Sequence, residues 1–157
     1  MDEHIYDVYW EGPFDWEHRN RYLKRSHVLY AIFGISYPYG QNALLYLGKS
    51  DGDIVQRLAD HNAWWVPDEY DACTVRVATV GEFISWKAWN QDKRARYPQA
   101  SPAVVAGIEA LLLYAHQPTY NTAGKASVAL GKGIRVFNTG RCGPLLPEVS
   151  FAYYRTD

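Results

Sequence analysis

The chain has 157 residues, 48% of them hydrophobic and 21% charged, enough for one domain that buries a sizeable core without disulfides or a structural metal. Its formal charge of -1 excludes the uniform basic field of a non-specific nucleic-acid binder, so any polyanion must meet a local patch. Cys73 and Cys142 stand in no metal-spaced cluster, the start Met1-Asp2-Glu3-His4 is acidic, and no apolar run nears membrane-spanning length, so a reduced, cytoplasmic protein with no membrane partner is expected.

In chain order, residues 27–35 and 43–49 read as strands, with turn chemistry between them in Tyr37-Pro38-Tyr39-Gly40-Gln41-Asn42, which predicts a hairpin. Asp51-Gly52-Asp53 supplies caps for a helix anchored by Ile54 and Leu58, and Arg57 and His61 share another face of it, one turn apart. Cys73 to Val80 is rich in β-branched residues and reads as a third strand, followed by a short helix from Phe83 to Asn90. Ser101-Pro102 starts a helix whose apolar residues, Val104, Ile108, Leu111, Leu112 and Ala115, recur at helical spacing until Pro118 stops it. Ile134 to Phe137 and Val149 to Tyr153 read as a C-terminal strand pair.

Chemistry enters at residues whose surroundings suit it. Glu109 stands among Val105, Ile108, Leu111, Leu112 and Leu113, where an unpaired carboxylate is costly to desolvate. It needs a cation or a hydrogen-bonding partner, and Mg²⁺ fits, because that ion takes one or two carboxylates and completes its octahedron with water and phosphate oxygens. Arg57 and His61 suit a phosphate, the first as a planar fork and the second as a donor or proton carrier. Tyr30 and Tyr46 are phenols in apolar strands, and a phenol becomes a useful base only beside a cation such as Lys49 or a metal-bound water. Taken singly, each has a plainer reading: an acid paired with an arginine, a solvated helix face, half-buried strand tyrosines.

The ordered set resembles the GIY-YIG nuclease family. Val28-Leu29-Tyr30 stands where the family's first tripeptide falls, without its Gly and Ile, and Tyr46-Leu47-Gly48 matches the second. Ile54 to His61 is similar to the family's arginine helix, Ile108-Glu109-Ala110-Leu111-Leu112 to its metal-binding glutamate segment and Pro118-Thr119-Tyr120-Asn121 to its closing Asn segment. The resemblance implies an α+β domain with a small three-stranded antiparallel sheet flanked by helices, to which the C-terminal strand pair is added. It also implies hydrolysis of DNA phosphodiester bonds with Mg²⁺ (or Mn²⁺). Glu109 would bind the metal, Tyr30 would act as general base and Tyr46 would position water or phosphate. Arg57 would stabilise charge on the scissile phosphate, Lys49 and His61 would support base and phosphate, and Asn121 would order the site.

Lys87, Lys93, Arg94 and Arg96, interleaved with Trp86 and Trp89, form the expected nucleic-acid-binding strip, and Trp64-Trp65 offers further stacking surface. Arg19, Arg21, Lys24 and Arg25 make a second basic cluster. The function expected is a DNA endonuclease, with a restriction or other defence role. The alternatives are a nuclease toxin or structure-specific nuclease on single strands or RNA, and a catalytically silent nucleic-acid-binding module on the same fold.

Overall fold

Alternation of side chains along a strand sets which residues of the N-terminus are buried: Tyr6, Val8 and Trp10 point into a core, at 7%, 0% and 0% exposure. They belong to β1 (His4–Asp15). The computed structural model describes residues 3–50, 53–64, 73–83 and 100–154. After β1 come β2 (Leu29–Ser36), β3 (Gly40–Lys49), helix α1 (Ile54–Trp64), β4 (Thr74–Glu82), helix α2 (Pro102–His116), β5 (Ile134–Gly140) and β6 (Glu148–Ser150).

These strands form one six-stranded sheet in the order β3-β2-β4-β1-β5-β6. The small three-stranded sheet flanked by helices, with a separate strand pair added, is therefore incorrect. β2 pairs antiparallel with β3 and β4, but β4 also pairs antiparallel with β1, and β1 runs parallel to β5. That parallel ladder, His4 with Ile134 through Trp10 with Gly140, draws the C-terminal pair into the same sheet. In the sequence β1 is disguised by Asp7 and Glu11 on its other face and by Gly12-Pro13, which falls where the register with β4 shifts. Proline lacks the N–H a ladder needs, and an irregularity of this kind is where a strand accommodates it.

The hairpin half of the sheet is covered on both faces. Leu29, Ala31, Phe33 and Leu47 pack with Val105, Ile108, Leu111 and Leu112 of α2. The alternates on β2, Tyr30 and Ile32, and Leu45, the extra residue where the β2–β3 register shifts, pack with Ile54 and Leu58 of α1 and with Trp16. Both helix starts have side-chain caps: Asp53 Oδ1 accepts the Gln56 N–H at 3.0 Å, and Ser101 Oγ accepts the Val104 N–H at 3.3 Å. The helix expected from Phe83 to Asn90 falls outside the described residues from position 84 onward. Among the described residues, no helix is long and apolar enough to cross a membrane.

Candidate functional site

β3 is the outer strand of the sheet, so one row of its backbone groups lacks a neighbouring strand. The chain leaving α2 covers that row. The Tyr120 N–H donates to the Leu45 carbonyl at 2.7 Å, and the Asn121 side chain accepts the Leu47 N–H and donates to the Leu47 carbonyl, both at 2.9 Å. Asn121, only 8% exposed, thus does with one carboxamide what a residue of a paired strand would do. It fixes the position of the strand between Tyr46 and Gly48.

A cavity of about 770 Å³ lies along this edge, with α1 on one side and α2 on the other, and its wall includes Tyr46, Lys49, Arg57, Glu109 and Asn121. Residues separated by more than sixty positions in sequence are thereby gathered into one space. Asp53, Gln56 and Tyr120 also line it, and sequence reasoning gave none of them a role in the site. Their signals were available but weak: Asp53 and Gln56 precede Arg57 within one helical turn, and Tyr120 adjoins Asn121.

Tyr30 and His61 are not part of that wall. Tyr30 is fully buried and His61 is 6% exposed, and Tyr30 Oη lies 2.8 Å from His61 Nε2. Tyr46 bridges this pair to the cavity: its ring is stacked with that of Tyr30, 6.0 Å between centroids, and stands 4.2 Å from the His61 ring. Burial and the adjacent Tyr46 hold the Tyr30 phenol well above its ordinary pKa, and Glu109 acts in the same sense. Arg57 opposes them, and Tyr30 in turn raises the pKa of Arg57, so each favours the charged form of the other. Burial, then the Arg57 charge, depress His61 to about 4, against a smaller opposing effect of Asp60. His61 is therefore neutral at pH 7 and keeps one bare ring nitrogen. With Nε2 as that nitrogen, the Tyr30 hydroxyl donates to it.

Gly48 explains how the phenol fits. It is the cross-strand partner of Tyr30, and a Cβ at Gly48 would lie 2.6 Å from Tyr30 Oη and 2.7 Å from Cζ. Because Tyr30 has no exposed surface, the ring cannot swing into solvent to yield. Gly48→Ala is expected to destabilise the fold by about 1–3 kcal/mol through overpacking and to break the Tyr30–His61 contact. Thermal unfolding measures the first effect and the histidine proton shifts in NMR measure the second; an unshifted midpoint would mean that the strand relaxes freely.

The depressed pKa of His61 carries a stability consequence with a definite sign. An unfolded chain, with His61 near 6.5, binds a proton that the folded chain refuses until about pH 4, so stability is full above about 6.5 and falls as the pH drops toward 4. The loss attributable to this residue is on the order of 3 kcal/mol. His61→Gln, which cannot titrate, should flatten that part of the profile in denaturant titrations at pH 7 and pH 4.5. An acid-side slope identical to wild type would assign the loss to other groups.

Two carboxylates, Glu109 and Asp53, face the cavity, while among the described residues no group of three or more His, Cys, Asp or Glu side chains gathers to hold a metal. That donor set fits Mg²⁺, which keeps several waters and takes substrate phosphate oxygens rather than requiring an all-protein cage. Of the basic residues, the strip Lys87, Lys93, Arg94 and Arg96 lies outside the described residues, as do Trp65, Trp86, Trp89 and the Trp64 side chain. In the other cluster, Arg19 is committed to the fold: its Cζ stands 4.4 Å from the Trp16 ring centroid and its Nη1 donates to the Trp16 carbonyl at 2.7 Å. Arg21, Lys24 and Arg25 are exposed. Trp16 packs in the same cluster as Tyr30 and Leu58, which puts this segment on the α1 face of the sheet.

Comparison with known proteins finds no family model, no curated protein and no solved structure that matches the chain.

Proposed function

We propose that the protein is a GIY-YIG-type endonuclease that hydrolyses DNA phosphodiester bonds with Mg²⁺ or Mn²⁺. The observation that carries this reading is the single cavity on which Tyr46, Lys49, Arg57, Glu109 and Asn121 converge, with the Tyr30–His61 pair directly behind Tyr46. Phosphoryl transfer asks for positioning and charge stabilisation more than for covalent chemistry, and a carboxylate, two cations and a phenol in one wall meet that demand.

In this reading Glu109 holds the metal, which when bound supplies positive charge to the phosphate and acidifies a water. Arg57 and Lys49 take the scissile phosphate oxygens, and Tyr46 orients water or phosphate. Tyr30, whose charged form Arg57 favours, accepts the proton of the attacking water. For water to reach Tyr30, the Tyr46 ring stacked on it has to shift. Asn121 keeps β3 in place throughout, so that Tyr46 and Lys49 hold their positions relative to Glu109. Nucleic acid approaches over the exposed cations Arg21, Lys24 and Arg25 and over the Lys87 to Arg96 strip.

The deciding experiment incubates plasmid, single-stranded DNA and RNA with the protein in Mg²⁺ or EDTA, followed by mapping of the ends. Metal-dependent cleavage of duplex DNA is expected, and discrete fragments would support a restriction or defence role. Preference for single strands or RNA would move the reading to a toxin or structure-specific nuclease. One observation favours a different class: a phenol with no exposed surface and a raised pKa is a poor base as it stands. A silent nucleic-acid-binding module would bind these substrates without metal-dependent turnover, and that result would remove the nuclease reading.

A further inference from the structure

Two hydrogen bonds settle the protonation of a side chain at the end of α2. His116 Nδ1 lies 2.8 Å from the Leu112 carbonyl one turn earlier on the helix, and the Leu146 N–H points at its Nε2 from 2.9 Å. A carbonyl can only accept and a backbone N–H can only donate, so the proton sits on Nδ1 and Nε2 is bare. The ring is neutral in this arrangement.

Leu146 belongs to the turn that carries the chain from β5 to β6. Other fastenings of that turn do not titrate near neutral pH: Asn138 Nδ2 donates to the Leu146 carbonyl at 2.8 Å, the Asn138 N–H to the Pro147 carbonyl at 2.9 Å, and Arg76 Nη1 to the Arg141 carbonyl at 2.6 Å. Between them Leu145, 4% exposed, packs in the same cluster as Ile108, Leu111 and Leu112 of α2. His116 is the fastening that pH can undo. A proton on Nε2 sets two N–H groups against each other across 2.9 Å, while the bond from Nδ1 to Leu112 keeps the ring where it is.

The charged and titratable groups on the elements packed against α2 are engaged elsewhere. Tyr46, Lys49 and Glu109 border the β3 cavity, and Arg135 is joined to Glu3 and to Glu148, which also accepts from Tyr153. Tyr114 and Tyr154 stand edge to face, 4.9 Å between centroids, and Lys125 donates to the Pro118 carbonyl at 2.7 Å. Lys132 and Arg141 are exposed, and the Cys142 thiol faces the Gly143 carbonyl at 3.9 Å. Burial lowers the pKa of His116, the Leu112 bond opposes it to a smaller extent, and none of these charges enters.

We propose that His116 is a pH-operated latch between α2 and the β5–β6 turn: neutral, it holds the Leu146 amide, and protonated, it releases the turn between Arg141 and Leu146. In the open turn the ring regains its ordinary value of 6.5, so an open chain binds a proton that a closed one resists. The latch is fully closed above about 6.5 and opens as the pH falls below it. The opening stays local, because Asn138 is itself held by the buried Trp10, whose Nε1 donates to its Oδ1 at 2.9 Å.

NMR of the full chain, titrated from about pH 7.5 to about pH 4.5 across the histidine range, tests the latch. At the upper end the ring nitrogen shifts should show His116 protonated on Nδ1 alone. On acidification the Leu146 amide signal should move with the midpoint of the His116 ring, below 6.5. Protection of that amide against hydrogen exchange should fall by up to about tenfold for each pH unit beneath about 6.5. His116→Gln, which cannot titrate, should remove this pH dependence, and His61→Gln, on the α1 side of the sheet, should leave it in place. A ring protonated on Nε2 at pH 7, or a Leu146 amide whose shift and protection ignore the His116 titration, overturns the proposal and leaves His116 as a fixed pin. Loss of the dependence in His61→Gln overturns it too, by assigning the opening to that residue. The wild type alone delivers the tautomer and the amide response, so the test stands even where a variant misfolds, and it reads out whether or not the protein cleaves DNA.

Discussion

Glu109→Gln is expected to abolish metal-dependent cleavage while leaving thermal unfolding nearly unchanged. The residue is half-buried on α2 and faces the cavity, so glutamine keeps its volume and polarity there and removes only the negative charge. Loss of the principal metal ligand forfeits several kcal/mol of transition-state stabilisation, a fall of at least about 10²-fold in rate. Substrate binding should be largely retained, because Arg57, Lys49 and the basic surfaces are intact. Turnover in saturating Mg²⁺ and Mn²⁺, with duplex affinity measured in parallel, checks the point. Near wild-type turnover by a folded Glu109→Gln protein would take the metal away from this residue.

Tyr30→Phe is the second large effect, and the structure makes its interpretation sharper. The substitution removes one hydroxyl and its 2.8 Å contact to His61 without opening a cavity, so the cost to folding should be about 1 kcal/mol. If that hydroxyl is the general base, the single-turnover rate falls by roughly 10² to 10⁴, with substrate affinity kept. Tyr46→Phe, at the cavity wall, should cost less, because a positioning group is not required to change protonation. A structural role for Tyr30 would move stability and leave the pH–rate profile unaltered; loss of the rise in rate with increasing pH is the signature of a general base. Equal and small effects at both tyrosines would reduce the pair to packing.

How far the sequence reaches can be judged residue by residue. The β2–β3 hairpin, α1 and α2 were legible because their signals are local: alternation, turn residues, Ser101-Pro102 and Asp53 as caps, Pro118 as a stop. The order of polar residues was legible too, since order needs no coordinates. Sheet architecture was not. β1 carries charges on one face and Gly12-Pro13 near its end, and its parallel pairing with β5 joins residues about 130 positions apart, which no window of sequence contains.

The site divides in the same way. Sequence alone determined which side chains were present with the right chemistry and that net charge -1 requires any polyanion to be met locally. Tertiary structure decided which of them share a space: Glu109 and Arg57 face one cavity across the β3 edge, whereas Tyr30 and His61 pair behind it, both buried. Both tyrosines lie in apolar strands, so their surroundings in sequence are alike. Burial and charge separate them, and those are set by neighbours that arrive from α1 and α2. The same holds for Arg76, an ordinary arginine in a β-branched run until the fold buries it and sets the Arg141 carbonyl against its guanidinium.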